Sequence, residues 1–331
     1  MPAKPTIQSE YHWLLTCIAL GIIGLAAYAA SKFTPGKWIV IITGIGFLGS
    51  LTALVLLAFR LRNFWCAMGA AGISLLSIIL GTYVLLFAFV VFFQDAVANR
   101  TSVFFQPKRI SAGAAQGLVS GNVTALDLAT PDGIHLRGWL MSNSTEPKSP
   151  LVIYFGGSGS ESSEMIPFAN SLDGWSVALV NYRGFGLSEG APTHSSVLAD
   201  ALFVYDSLAA RADIDAEHII AMGYSLGTGV ATYLSAERPI AGTILVSPYD
   251  YWTLIGVKQT PLYAPLSGIM KHYFDSISRA PGIETPLLTL MGTDDEYVPP
   301  ALSLKLVDSW GGETEIITYP AENHDFLFHD N

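Results

Sequence analysis

Ile219-Ile220-Ala221-Met222-Gly223-Tyr224-Ser225-Leu226-Gly227-Thr228-Gly229-Val230-Ala231 is the stretch that decides the fold. An apolar run, Ile219 to Met222, leads into Gly223-Tyr224-Ser225-Leu226-Gly227, and a helix-compatible stretch continues to Ala236. G-x-S-x-G between strand and helix puts a serine on a sharp turn with strained dihedrals. Glycine is expected two residues to either side, because a Cβ there would meet the neighbouring strand and helix.

Outward from this turn, apolar runs alternate with helical patterns. Val123–Thr130 and Ile134–Met141 read as strands around Pro131-Asp132-Gly133, and Asp-Gly between two such runs is a hairpin signal. Further strands are expected at Leu151–Phe155, Ser176–Asn181, His218–Gly223, Gly242–Ser247, Leu287–Met291 and Thr314–Tyr319. Helices are expected near Glu161–Leu172, Ser195–Arg211, Leu226–Glu237 and Pro300–Asp308. A leading hairpin followed by β-α-β alternation predicts an α/β fold, a mostly parallel sheet with helices on both faces. Active sites in such sheets lie at the carboxyl ends of the strands.

A serine hydroxyl is a poor nucleophile unless a histidine takes its proton and a carboxylate orients that histidine. On this kind of sheet the chain order is serine, acid, histidine. His12, His135, His194 and His218 precede Ser225, and His272 precedes the best acid. His324, just after the last expected strand, is therefore the candidate base, with His329 at the chain end as the alternative. For the acid, Asp294 and Asp295 follow Leu287–Met291, and Asp250 follows the preceding strand. Asp294, Glu296 and Pro299-Pro300 also suit the start of the following helix. A tetrahedral intermediate needs two N–H donors. The amide of Leu226 is one, and the run Gly156-Gly157-Ser158-Gly159 after Leu151–Phe155 is placed to supply the other.

Taken together, these residues resemble the α/β-hydrolase superfamily, and more narrowly its membrane-anchored subgroup that includes protein depalmitoylases and lysophospholipid hydrolases. The resemblance runs from about Val103 to His324. It is carried by Phe104-Phe105-Gln106-Pro107, Asp132-Gly133-Ile134-His135-Leu136-Arg137-Gly138-Trp139 and Asn181-Tyr182-Arg183-Gly184-Phe185-Gly186-Leu187-Ser188-Glu189-Gly190. The last is read as structural, Arg183 included. Aligning Gly292-Thr293-Asp294-Asp295-Glu296-Tyr297-Val298-Pro299 with the family's acid loop puts the triad aspartate on Asp295. Gly156-Gly157-Ser158 stands where the family more often has His-Gly-Asn, so the resemblance assigns the second oxyanion amide to Ser158. Relatives carry a full helix after the histidine; seven residues follow His324 here, so that side of the sheet is expected to be thinly covered.

The N-terminal part is of another kind. Of 331 residues, 51% are apolar and 13% charged, a balance unlike that of a soluble domain. Trp13–Ala30, Trp38–Phe59 and Phe64–Phe93 contain no Asp, Glu, Lys or Arg, and each matches or exceeds the ~20 residues that cross a bilayer core. Three transmembrane helices in residues 1–100 are therefore expected ahead of a catalytic domain over 101–331. Ala27-Tyr28-Ala29 resembles a signal-peptide cleavage site; cleavage there would leave two spans. The positive-inside rule leans toward a cytoplasmic catalytic domain, with Lys32, Lys37, Arg100, Lys108 and Arg109 against Lys4, Arg60 and Arg62.

Residues 101–331 hold 25 acidic and 11 basic side chains, which argues against nucleic acid as a partner. Both cysteines, Cys17 and Cys66, lie in the apolar segments, which excludes a disulfide or Cys-based metal site in the C-terminal part. The expected function is a membrane-anchored serine hydrolase of an ester or thioester, with Ser225, His324 and Asp295 as triad and no cofactor or metal. An acyl-lipid or a lipidated protein is the plausible substrate. A cap insert near 248–280, with Tyr249, Tyr251 and Trp252, is expected over the pocket, Tyr249 and Trp252 lining an acyl site or simply packing. The alternatives are a non-catalytic membrane scaffold on the same shell and a serine peptidase.

Overall fold

The computed structural model describes Gly81, residues 104–252 and residues 273–328. The three charge-free segments (Gly81 apart), His12, His272, His329 and the middle of the cap insert lie outside the described residues. Among the described residues no helix is long and apolar enough to cross a membrane. The chain divides into two units, Met1–Gln94 and Asp95–Asn331. The second carries the sheet and the candidate site.

Eight strands form one sheet in the order β1-β2-β4-β3-β5-β6-β7-β8. They are β1 Val123–Ala129, β2 His135–Ser142, β3 Ser149–Phe155, β4 Ser176–Val180, β5 Ile214–Tyr224, β6 Gly242–Val246, β7 Leu287–Gly292 and β8 Thr314–Tyr319. β1 and β2 are antiparallel, β2 meets β4 antiparallel, and every pairing from β4 to β8 is parallel. Apolar runs specify this sheet because inner parallel strands are covered on both faces. All five residues of β4 are buried, as are the last four of β5. The β1–β2 turn is held by the Thr130 amide to the Ile134 carbonyl at 2.9 Å, with Gly133 at φ 81°, a value that favours glycine.

The described helices are α1 Ala112–Gly117, α2 Ile166–Ala169, α3 His194–Ala209, α4 Leu226–Glu237 and α5 Pro300–Asp308. α3, α4 and α5 bury Val204, Val230 and Leu306 in one core with β3 and β5. On the opposite face Ala115 of α1, Ala169 of α2 and Phe326 close a second, smaller core. α3 starts with a capping box, Thr193 and Ser196 each accepting the other's amide. α5 begins at Pro299-Pro300, and neither Asp294 nor Glu296 caps it.

Two elements differ from the sequence reading. The helix expected near Glu161–Leu172 is one 3₁₀ turn, Ser162–Met165, and one α-helical turn, α2. The Asn143 amide donates to the carbonyls of Ala169 at 2.7 Å and Leu172 at 3.3 Å, which satisfies acceptors that further helix would have used. β5 begins at Ile214 rather than His218, and its pairing with β3 is irregular between Ile214 and Ile219. β8 is exposed along its length, with Ile316 and Ile317 showing 38% and 39% of their surface, as thin coverage of that side requires.

Candidate active site

Ser225 sits between β5 and α4 with φ 50° and ψ −118°. An L-residue reaches positive φ only where its surroundings over-determine it. Here the two elbow glycines do so. A Cβ on Gly223 would lie 2.7 Å from Thr228 Cα, and one on Gly227 would fall on the carbonyl of Phe155. Only glycine lets the first turn of α4 cross the end of β3 so closely. The Ser225 amide donates to the Val246 carbonyl at 2.9 Å, locking the turn to β6.

His324 follows β8 and Asp295 follows β7. His324 Nε2 is 2.8 Å from Ser225 Oγ, and its Nδ1 is 2.7 Å from Asp295 Oδ2. The other carboxylate oxygen of Asp295 accepts the amides of Tyr297 and Val298 at 2.9 and 2.8 Å. An Nδ1–H donated to Asp295 leaves Nε2 bare to accept the serine proton. Ser225, Asp295 and His324 are all buried. Asp294 is exposed and bonds the Thr293 hydroxyl instead. Asp250 is buried elsewhere, 2.9 Å from Lys305 Nζ, with its Oδ1 accepting the Tyr251 amide.

The Gly156–Gly159 loop lies at the same end of the sheet, after β3. Its carbonyls are tied back: that of Gly156 accepts the Tyr182 hydroxyl at 3.0 Å, and that of Ser158 the Gln106 amide at 2.7 Å. Leu226 is the first residue of α4, where helix amides have no intrahelical acceptor. The overlap expected between a Gly227 Cβ and Gly156 O brings that helix start against the loop. The two sequence-derived amide donors, Ser158 and Leu226, thus belong to touching segments.

The Asn181–Gly190 run supports this end of the sheet. Arg183 forks onto two carboxylates, donating to Asp200 through Nε and Nη2 at 2.7 Å each and to Asp132 through Nη1 at 2.5 Å. Hydrogen bonds from Arg183 hold Asp132 well below the usual carboxylate range, while burial pushes the Asp200 carboxyl up despite the same partner. Asn181 donates to buried Glu161 Oε1 at 2.6 Å, just past the glycine loop.

Tyr249 is 3% exposed, and its hydroxyl donates to the Leu226 carbonyl at 3.0 Å, so it packs against the elbow. Trp252 is half-buried and pairs with Tyr273 across the foot of the insert, near Phe104. Sequence reasoning missed Tyr297, whose exposed ring stands 5.5 Å from the His324 ring. It also missed the hydroxyls of Tyr182 and Tyr224; a tyrosine beside an apolar run carries no signal beyond core. Among the described residues, no three His, Cys, Asp or Glu side chains converge as metal ligands.

Comparison with known proteins agrees with this fold. The model of the alpha/beta hydrolase fold family matches residues 150–266. The chain shares that family's fold, and the serine at its elbow stands where the fold's serine hydrolases carry their nucleophile. It is 29% identical to an uncharacterized Mycobacterium tuberculosis protein over 228 residues, 68% of this chain and 80% of the other. It is 33% identical over 188 residues to the lysophosphatidylserine lipase ABHD12 of Danio rerio, half of this chain and 48% of that one. A Pyrococcus furiosus esterase structure has TM-score 0.53 at 19% identity over 67% of this chain and 90% of that one, a likeness of fold.

Proposed function

We propose that this protein is a membrane-anchored serine hydrolase that cleaves carboxylic esters or thioesters through an acyl-enzyme. The observation that carries the proposal is the hydrogen-bonded series Ser225 Oγ, His324 Nε2, His324 Nδ1, Asp295 Oδ2, with Ser225 held at positive φ. Ser225 Oγ attacks the acyl carbonyl while His324 Nε2 takes its proton. The amides of Leu226 and Ser158 hold the resulting oxyanion. Collapse expels the alcohol or thiol, which receives the proton from His324. Water then attacks the acyl-serine by the same route, and Ser225 regains its proton. Asp295 keeps the imidazole in the tautomer and orientation that both halves need.

The charge-free segments at 13–30, 38–59 and 64–93 support anchoring by three transmembrane helices, with the catalytic domain on the cytoplasmic side. An anchored enzyme meets substrate in the bilayer, which favours an acyl-lipid or lipidated protein. Its likeness to a lysophosphatidylserine lipase points the same way.

The test is labelling of the full-length chain by a fluorophosphonate, which reacts only with an activated serine. Wild type should be labelled at Ser225, and Ser225→Ala should lose both the label and turnover of a short acyl ester. An unlabelled wild type would leave the scaffold reading in its place. Turnover of peptide amides but not esters would favour the peptidase.

A further inference from the structure

Tyr224, the residue before the candidate nucleophile, touches all three parts of the site. Its ring fills the space opposite the glycine loop: a Cβ on Gly157 would lie 3.0 and 3.1 Å from two Tyr224 ring carbons. The same ring stands 5.5 Å from the imidazole of His324, centroid to centroid. Its hydroxyl donates to Asp325 Oδ1 at 2.6 Å, one residue past His324.

The histidine loop has two ends to secure. Before His324, the Asp294 amide donates to the Glu322 carbonyl at 2.9 Å, and the Ala321 amide to Thr293 Oγ1 at 2.9 Å. These bonds tie it to the loop that carries Asp295. After His324, Asp325 donates its amide to Asn323 Oδ1, a bond within the loop itself. The Tyr224–Asp325 bond joins this end to the elbow, three residues ahead of Phe328, beside longer 3.5 Å contacts from the Tyr224 and Ser247 hydroxyls to the His324 carbonyl. Burial and the Asp325 bond raise the Tyr224 hydroxyl far above its usual range, so it remains a donor at any working pH.

We propose that Tyr224 is a positioning residue, its ring setting the height of the glycine loop and its hydroxyl, through Asp325, holding His324 over Ser225. One side chain thereby keeps the oxyanion amide and the general base in register with the nucleophile beside it. The inference builds on the hydrolase reading, and its first test is independent of that reading.

Amide hydrogen exchange over 321–328 should rise in full-length Tyr224→Phe, which retains the ring, and in Asp325→Ala, at an exposed site where folding is not at stake. Unchanged exchange in both would overturn the latch whether or not the protein is an enzyme. Fluorophosphonate labelling at Ser225 should slow ~10- to 100-fold in each single variant, the scale of a small misplacement of reacting groups. For ester turnover the loss should fall on kcat with KM nearly constant. Asp325→Asn, which keeps an acceptor for the tyrosine, should recover most of what Asp325→Ala loses. The double variant Tyr224→Phe/Asp325→Ala should be no worse than Tyr224→Phe alone, since that change already removes the bond to Asp325. Wild-type labelling rates in the single variants, or additive losses in the double one, would overturn the proposal. Raised exchange in a protein that never labels would instead sink the hydrolase reading and leave Tyr224 as the anchor of the loop.

Discussion

Asp295 reaches His324 with Oδ2 at 2.7 Å while its neighbour Asp294 turns outward to the Thr293 hydroxyl. Two adjacent aspartates therefore have unequal chemistry. Asp295→Asn should lower kcat for a short acyl ester by several orders of magnitude, ~10⁴-fold being the precedent for this change in another triad. Asp294→Asn should lower it by a few-fold at most. The two variants are measured side by side, and a larger defect at Asp294 would contradict the geometry.

The elbow glycines give a steric prediction. Gly227→Ala would drive a methyl into the Phe155 carbonyl, a backbone atom of β3 that cannot swing aside. Either β3 or α4 must shift, at a cost of about 1–3 kcal/mol, the usual range for overpacking. The glycine loop hangs from β3, so labelling of Ser225 should fall with stability. Gly117→Ala, where a Cβ meets nothing within 4 Å and φ is negative, should leave both unharmed. Thermal unfolding and probe labelling of the two variants check this, and a fully active Gly227→Ala would refute it.

Much of the fold is legible in the sequence because inner parallel strands are apolar on both sides. The runs that form β3, β4, β6 and β7 need no partner to be recognised. The polar start of β5, Asp215-Ala216-Glu217-His218, carries no such run, so its first residues do not read as strand. The helix after β3 is shorter than its pattern, and Asn143, distant in sequence, donates to carbonyls at and beyond its end. In the site, chain order leaves His324 and His329 for the base, and the place of His324 just after the last strand favours it over the chain end. Side-chain direction separates Asp295 from Asp294, and direction is not written in composition or spacing. The hydroxyl partners of Tyr182 and Tyr224 are tertiary facts in the same sense. Tyr249 is equally readable in the sequence as acyl-site lining or as packing; its burial and its bond to the Leu226 carbonyl are again tertiary facts.

Arg183 gives a prediction with a pH signature. Its guanidinium is paired with Asp200, whose side chain is 8% exposed. Arg183→Gln would leave that carboxylate buried without its cation, a loss of about 3–5 kcal/mol at neutral pH. Lysine should not restore it, because a single ammonium cannot fork onto Asp200 and Asp132 together. Burial already raises the Asp200 carboxyl, and without the arginine it should rise further. A group raised on folding adds stability at pH below its unfolded value and loses it as pH climbs through the folded one. The deficit of Arg183→Gln should therefore shrink from pH 8 to pH 5. Denaturation curves at the two pH values test this, and a deficit that grows toward pH 5 would contradict it.

The final prediction separates anchor from catalyst. Residues 13–93 should behave as integral spans, so the full-length chain should stay with membranes through high-pH carbonate. A chain beginning at Arg100 should be more soluble and still hydrolyse small esters, because every proposed site residue lies beyond it. The cut must not go further. Phe104 is packed against Tyr273 and Phe274 at centroid distances of 5.2 and 5.7 Å, and Phe105 against Tyr182 at 6.0 Å. A chain beginning at Gln106 loses both rings, each worth about 3–5 kcal/mol by analogy with Phe→Ala in a core. It also frays the Gln106 amide that holds the Ser158 carbonyl. Activity on soluble esters should survive the first cut and collapse with the second. Loss of long-chain membrane substrates should already be steep after the first. Equal loss on both substrate types at Arg100 would mean that the apolar segments support the active site itself, and the division of the chain would fall.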